Sequence, residues 1–275
     1  MIVKLRMGAA ALSCVLWSCL ICTSVSVLTG CVSNIASTSM NSDLVTDSDE
    51  PDTRKRARLR LELAVAYFDK GQTTDALDHL KQSIAADPNL FDAYNLRGLI
   101  YMRLNDVPLA EESFRRALAI NPKAASVQHN YGWLLCQQAR LPEAVQLFET
   151  ALSNPNYGDR AKTWMAQGLC QQKYGKNADA EASFLRAYEL DAGNPITAYN
   201  LSLLLFQRAE FVRSQFYVRR LNNSELANAE SLWLGIKVER RLNNRDATFQ
   251  LGAQLKKRFP QSREYLAFER GAFNE

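Results

Sequence analysis

The side chains able to do chemistry are few and widely spaced. His79 and His129 are the two histidines of the chain. Neither has a second metal ligand at i+4, so the donors of a zinc-type site are missing. Six cysteines are present: Cys14, Cys19 and Cys22 in an apolar leader, then Cys31, Cys136 and Cys170. No HExxH helix, Gly-rich phosphate loop or GxSxG turn occurs. The carboxylates are scattered, without a pairing that would set a general acid against a base. Metal and other cofactors, a small-molecule substrate and enzymatic activity are therefore not expected. The formal net charge is +4, falling to +2 without Lys4 and Arg6, too small for bulk attraction to nucleic acid.

One thiol has a chemical context. Lys4 and Arg6 precede a nearly uncharged run from Met7 to Val27, the layout of a secretory signal. Leu28-Thr29-Gly30-Cys31 follows, and it resembles the lipobox of bacterial lipoproteins. Small residues before the cut fit a tight peptidase site, and the cysteine thiol is the nucleophile that takes up diacylglycerol. Residues 1–30 are thus expected to be a lipoprotein signal peptide and Cys31 the lipidated N-terminus; an uncleaved membrane anchor is the alternative, since the run approaches the ~20 residues a span needs. Val32, in place of Asp, favours the outer membrane by that resemblance, and the multiple acyl chains of such a cysteine suffice for stable anchoring. Residues 31–53, rich in Ser, Thr, Asn and Asp, read as a flexible tether. It closes on Asp47, Asp49, Glu50 and Asp52, followed by Arg54, Lys55, Arg56, Arg58 and Arg60, a solvated first helix rather than a headgroup-binding patch.

The elements that position everything else lie in residues 54–275. From Phe91 the chain places Tyr94, Gly98, Tyr101, Ala110, Phe114, Ala117 and Pro122 where the 34-residue tetratricopeptide repeat has its pattern. Gly98 and Ala110 are small enough for two antiparallel helices to approach, the aromatics fill the space beside them, and Pro122 stops the second helix. Asn105-Asp106 is the turn between them. The pattern recurs. The unit 57–90 has Ala64, Tyr67, Gly71, Ala76, Leu80 and Pro88; 125–157 has Gly132, Leu135, Ala144, Phe148 and Ala151; 161–194 has Trp164, Gly168, Gly175, Ala180, Phe184 and Ala187. The match weakens over 195–227 to Leu201, Ser202, Leu205, Ser214 and Leu221, and returns over 228–261 with Leu234, Gly235, Val238, Ala247, Leu251 and Pro260. The reading is all-α: a superhelical solenoid of six helical hairpins and a C-terminal capping helix at 262–273. The loop at residues 154–158 is out of phase, and Asn222-Asn223-Ser224 marks a second altered turn. Cys136 and Cys170 fall in the first helices of repeats 3 and 4, two positions out of equivalence; an oxidising compartment permits a bridge, but buried free thiols are the expectation.

With no chemistry in view, function is expected in the groove lined by first helices. Its i, i+4, i+7 face reads Leu61, Val65 and Phe68, then Asn95, Leu99 and Met102, then His129, Trp133 and Cys136, with Met165, Leu169, Tyr199, Leu203 and Phe206 beyond. Such a stripe can hold a peptide or an amphipathic helix, its amides bonding the guest backbone; the competing reading makes part of it inter-repeat core.

Residues 130–132 (Asn-Tyr-Gly), Arg140, Glu143-Ala144, Ser231-Leu232-Trp233-Leu234-Gly235-Ile236 and the run Gln254 to Pro260 resemble the type IV pilus biogenesis lipoproteins called PilF or PilW. The resemblance covers essentially the whole chain, lipobox and six repeats included. It implies a pilotin, an outer-membrane lipoprotein facing the periplasm that binds the pilus secretin and promotes its localisation and multimerisation. It also implies a partner surface in the first repeats, at Leu61, Val65, Phe68, Leu99 and Met102. A general periplasmic scaffold for cell-envelope enzymes is the alternative.

Overall fold

Every hairpin solves the same packing problem, and the computed structural model shows how. It describes residues 50–273, whose regular structure is thirteen α-helices. The leader, Cys31 and the tether up to residue 49 lie outside the described residues. Six antiparallel hairpins follow one another: α1 (Asp52–Asp69) with α2 (Thr73–Ala86), α3 (Phe91–Arg103) with α4 (Val107–Ile120), α5 (Ala125–Gln137) with α6 (Leu141–Leu152), α7 (Arg160–Lys173) with α8 (Asn177–Leu190), α9 (Pro195–Gln207) with α10 (Phe211–Asn222), and α11 (Ala229–Arg241) with α12 (Arg245–Arg258). A short α13 (Arg263–Glu269) packs on α11 and α12. This is the repeat solenoid that the spacing predicts.

In repeats 2, 3 and 4 the contact within the hairpin is a glycine against a ring. A Cβ placed on Gly98 would lie 2.5 Å from Phe114, one on Gly132 3.0 Å from Phe148, and one on Gly168 2.8 Å from Phe184. All three rings are fully buried. Repeat 5 departs from the pattern, and its substitutes explain why it still pairs: the Ser202 and Ser214 hydroxyls lie 2.8 Å apart, and each also bonds the other residue's backbone carbonyl, at 3.0 and 2.8 Å. A buried polar pair is tolerated because both hydroxyls are satisfied.

The turn inside each hairpin uses one left-handed residue: Gly71, Asn105, Ala139, Gly175, Ala209 and Asn243, all with φ between 57° and 77°. The interval is 34 residues except between Ala139 and Gly175, where the longer loop between α6 and α7 makes it 36. Across this junction the expectation of free thiols is overturned. Cys136 and Cys170 are joined by a disulfide, their Cα atoms 5.8 Å apart. The bridge spans 34 residues, two fewer than separate Gly132 and Gly168, so it joins positions that are not equivalent in the two repeats. His129 and Thr163, also 34 apart in sequence, meet across the same junction.

Inter-repeat contacts are otherwise apolar clusters laced by buried carboxylates. Glu239, 1% exposed, accepts from Arg219 Nε at 2.6 Å and Gln215 at 2.9 Å. Glu111 in α4 accepts from Tyr131 at 2.7 Å and from Arg140 at 2.9 and 3.0 Å, which ties repeat 2 to repeat 3. At the far end Ser262 Oγ caps α13 by accepting from Tyr265 N–H, Phe268 packs on Gly252, and Phe273 stacks on Trp233 at 5.3 Å.

Candidate functional site

The first helices of repeats 1 to 3 are held side by side by the clusters beneath them, and the stripe read from the sequence divides by depth. Leu61 and Phe68 in α1 are half-buried against the core of repeats 1 and 2. Leu99 and Met102 in α3, and Trp133 in α5, are half-buried against the next cluster. Val65 is 40% exposed. Each half-buried side chain therefore has one face in the inter-repeat core and another left to solvent, which is the arrangement a peptide-binding wall requires.

Polar groups fix the wall's shape. Asn130 donates to Asn95 Oδ1 at 3.0 Å, so the two amides bridge α3 and α5. The Arg103 guanidinium lies 3.6 Å over the Phe68 ring and donates to the Phe68 carbonyl at 2.6 Å. One face of that ring is thus already covered by a cation, a contact worth about 0.5–1 kcal/mol at an exposed site. Arg54 pairs with Asp87 at 2.7 Å and Arg58 with Glu50, so the basic start of α1 is engaged within the repeat.

His129 and Cys136 sit deeper than the rest of the stripe. His129 is 6% exposed, its Nδ1 sharing a 2.8 Å hydrogen bond with Thr163 Oγ1, and its ring lies against Phe148. It belongs to the joint between repeats 3 and 4 rather than to the open surface, and Cys136 is consumed by the disulfide. Burial first, then the nearby Lys162 charge, push the His129 pKa down to about 4. The unfolded chain then takes up a proton near pH 6.5 while the folded one refuses it. Stability is complete above that pH and is lost as pH falls toward 4. Urea unfolding of the wild type at pH 7 and 4.5 should differ by a His129 contribution of about 2–3 kcal/mol, and His129→Gln should remove it.

Among the described residues no group of three His, Cys, Asp or Glu is placed to hold a metal ion.

Residues 57–125 and 130–195 match the tetratricopeptide repeat family model. Over 242 residues the chain is 30% identical to the type IV pilus assembly protein PilF of Pseudomonas aeruginosa, covering 88% of this chain and 93% of that one. The chain belongs to the PilF family. The solved structure of Pseudomonas aeruginosa PilF superposes with a TM-score of 0.72 at 28% identity, over 80% of this chain and all of that one. The crystal structure of PilW, described as a widely conserved type IV pilus biogenesis factor, gives 0.67 at 28% identity over 77% and 97%. The PilF-family likeness thus spans the repeats from one end to the other.

Two apolar surfaces of this PilF-family chain do not follow from the repeat pattern. Leu59 and Leu63 on α1 are 59% and 43% exposed. Leu59 stands 34 residues before the fully buried Ala93, so it occupies a register that later repeats cover with a preceding hairpin. Phe216 and Phe249 on α10 and α12 are 62% and 76% exposed. Aligning repeats on the small residue of the second helix would have shown the second pair: at the same offset stand Asp78, Glu112, Gln146 and Ala182, and only repeats 5 and 6 carry an aromatic.

Proposed function

We propose that this protein acts in type IV pilus biogenesis as a pilotin: an outer-membrane lipoprotein that captures secretin subunits and promotes their multimerisation. The observation that carries the reading is membership of the PilF family over nearly the full length of both chains. The apolar wall of repeats 1 to 3 supplies the means. Leu61, Val65, Phe68, Leu99, Met102 and Trp133 offer apolar area to an extended or helical segment of the partner. No bond is made or broken; lipidated Cys31 and the tether that follows hold the solenoid near the membrane and raise the local concentration of captured subunits.

Affinity purification of tagged protein from cell envelopes tests this directly. Secretin should copurify with the wild type and be lost with Phe68→Glu and with Val65→Glu. Val65→Glu is the cleaner variant, because its side chain is already exposed. Cys31→Ser should leave an unlipidated precursor that fails to fractionate with outer membranes. Recovery of cell-wall enzymes in place of secretin would overturn the pilotin reading and install a general envelope scaffold.

A further inference from the structure

The last repeat carries a second surface that the groove does not use. Between α12 and α13 lies a cleft of about 680 Å³, within the size range of sites that enclose a small ligand or a few side chains. Arg240, Arg245 and Arg270 stand in its wall, with Phe249 and Phe268 beside them. The one carboxylate there, Glu269, accepts from the Tyr265 hydroxyl. Arg240 lies over Phe273, 3.5 Å from the ring centre. Arg245 and Arg270 have no carboxylate partner among the described residues, although elsewhere in the solenoid arginines close onto the buried Glu181 and Glu239. Phe249 forms the lip, and at 76% it is the most exposed large apolar side chain among the described residues.

Three cations against one carboxylate, with an exposed ring at the lip, fit a single kind of guest. Guanidinium groups pair with carboxylates in two-point geometry, and an exposed aromatic lip beside them receives an apolar side chain. A planar anionic membrane fits less well, because the arginines line a recess rather than a protruding face. We propose that this cleft is a second docking site, which captures an acidic segment of a protein partner that carries an aromatic residue among its carboxylates. The inference does not depend on the groove in repeats 1 to 3.

The test uses the full-length protein and a fluorescein-labelled peptide, Asp-Glu-Phe-Glu-Asp, followed by anisotropy. Saturable binding is expected, weakened about tenfold by Arg245→Glu and again by Arg270→Glu. The double reversal should instead gain affinity for Lys-Lys-Phe-Lys-Lys. Circular dichroism melts should be unchanged, since both arginines are exposed. Phe68→Glu should bind the peptide as well as the wild type does, which separates this site from the groove. Equal affinity for acidic and basic peptides, or indifference to both reversals, would overturn the proposal. So would a failure to bind peptide while the reversals release the protein from phosphatidylglycerol vesicles, which would make the cleft a lipid contact.

Discussion

Phe114→Ala lowers the unfolding free energy by about 3–5 kcal/mol, the cost of deleting a large ring from a packed interior. The ring is fully buried, presses on Gly98 within repeat 2, and stacks on Tyr131 of repeat 3 at 5.9 Å. Its loss therefore weakens both the hairpin and the interface to the next, and in a solenoid the interface term is what couples neighbouring repeats. The partner substitution gives the sharper evidence. Gly98→Ala alone should cost about 1–3 kcal/mol through overpacking, because a methyl at 2.5 Å from a ring wedged on all sides has no room. In the Phe114→Ala background that cost should vanish, since the added carbon falls into the space the ring leaves. Urea unfolding followed by circular dichroism across the four proteins measures the coupling. Strict additivity would mean that the two side chains do not meet.

The second large effect concerns the bridge. Reducing Cys136–Cys170, or replacing both cysteines with serine, should lower stability by about 3–4 kcal/mol if chain entropy governs the loop of this length. Both sulfurs are buried, each cysteine 1% exposed, so reduction of the folded protein should be slow until repeats 3 and 4 part. A melting temperature unaffected by dithiothreitol would show that packing, not the covalent link, holds that junction.

Features that repeat are legible in the amino-acid sequence, and features that occur once are not. Gly98, Gly132 and Gly168 announce themselves because a phenylalanine stands sixteen residues after each, and in the folded hairpin that ring meets the glycine. The fifth repeat is legible as weak, but not the reason for its survival, since two serines satisfying each other is a pairwise fact that a consensus pattern does not contain. The stripe on the first helices follows from helical period alone, and period gives direction without depth. His129 and Trp133 share a face, yet His129 is enclosed by Thr163 and Phe148 while Trp133 is half open. The missing information is which positions meet across the third junction, where paired residues lie 34 apart although the glycines lie 36 apart. The disulfide is a pairing of the same kind. The exposed Leu59 and Phe249 lie where the repeat pattern ends or changes, and a pattern averaged over repeats is least informative there.

The bridge has a mechanical consequence as well. A stack of hairpins pulled from its ends gives way one unit at a time, and each unit that opens releases its contour. Here the chain between Cys136 and Cys170 is short-circuited, so those residues cannot lengthen under load while the link is intact. At about 3.3–3.6 Å per extended residue, roughly 110–120 Å of slack is withheld from the middle of the solenoid. A force applied between the first repeat and the last must therefore bypass that segment, and only on reduction does the array become a uniformly extensible string.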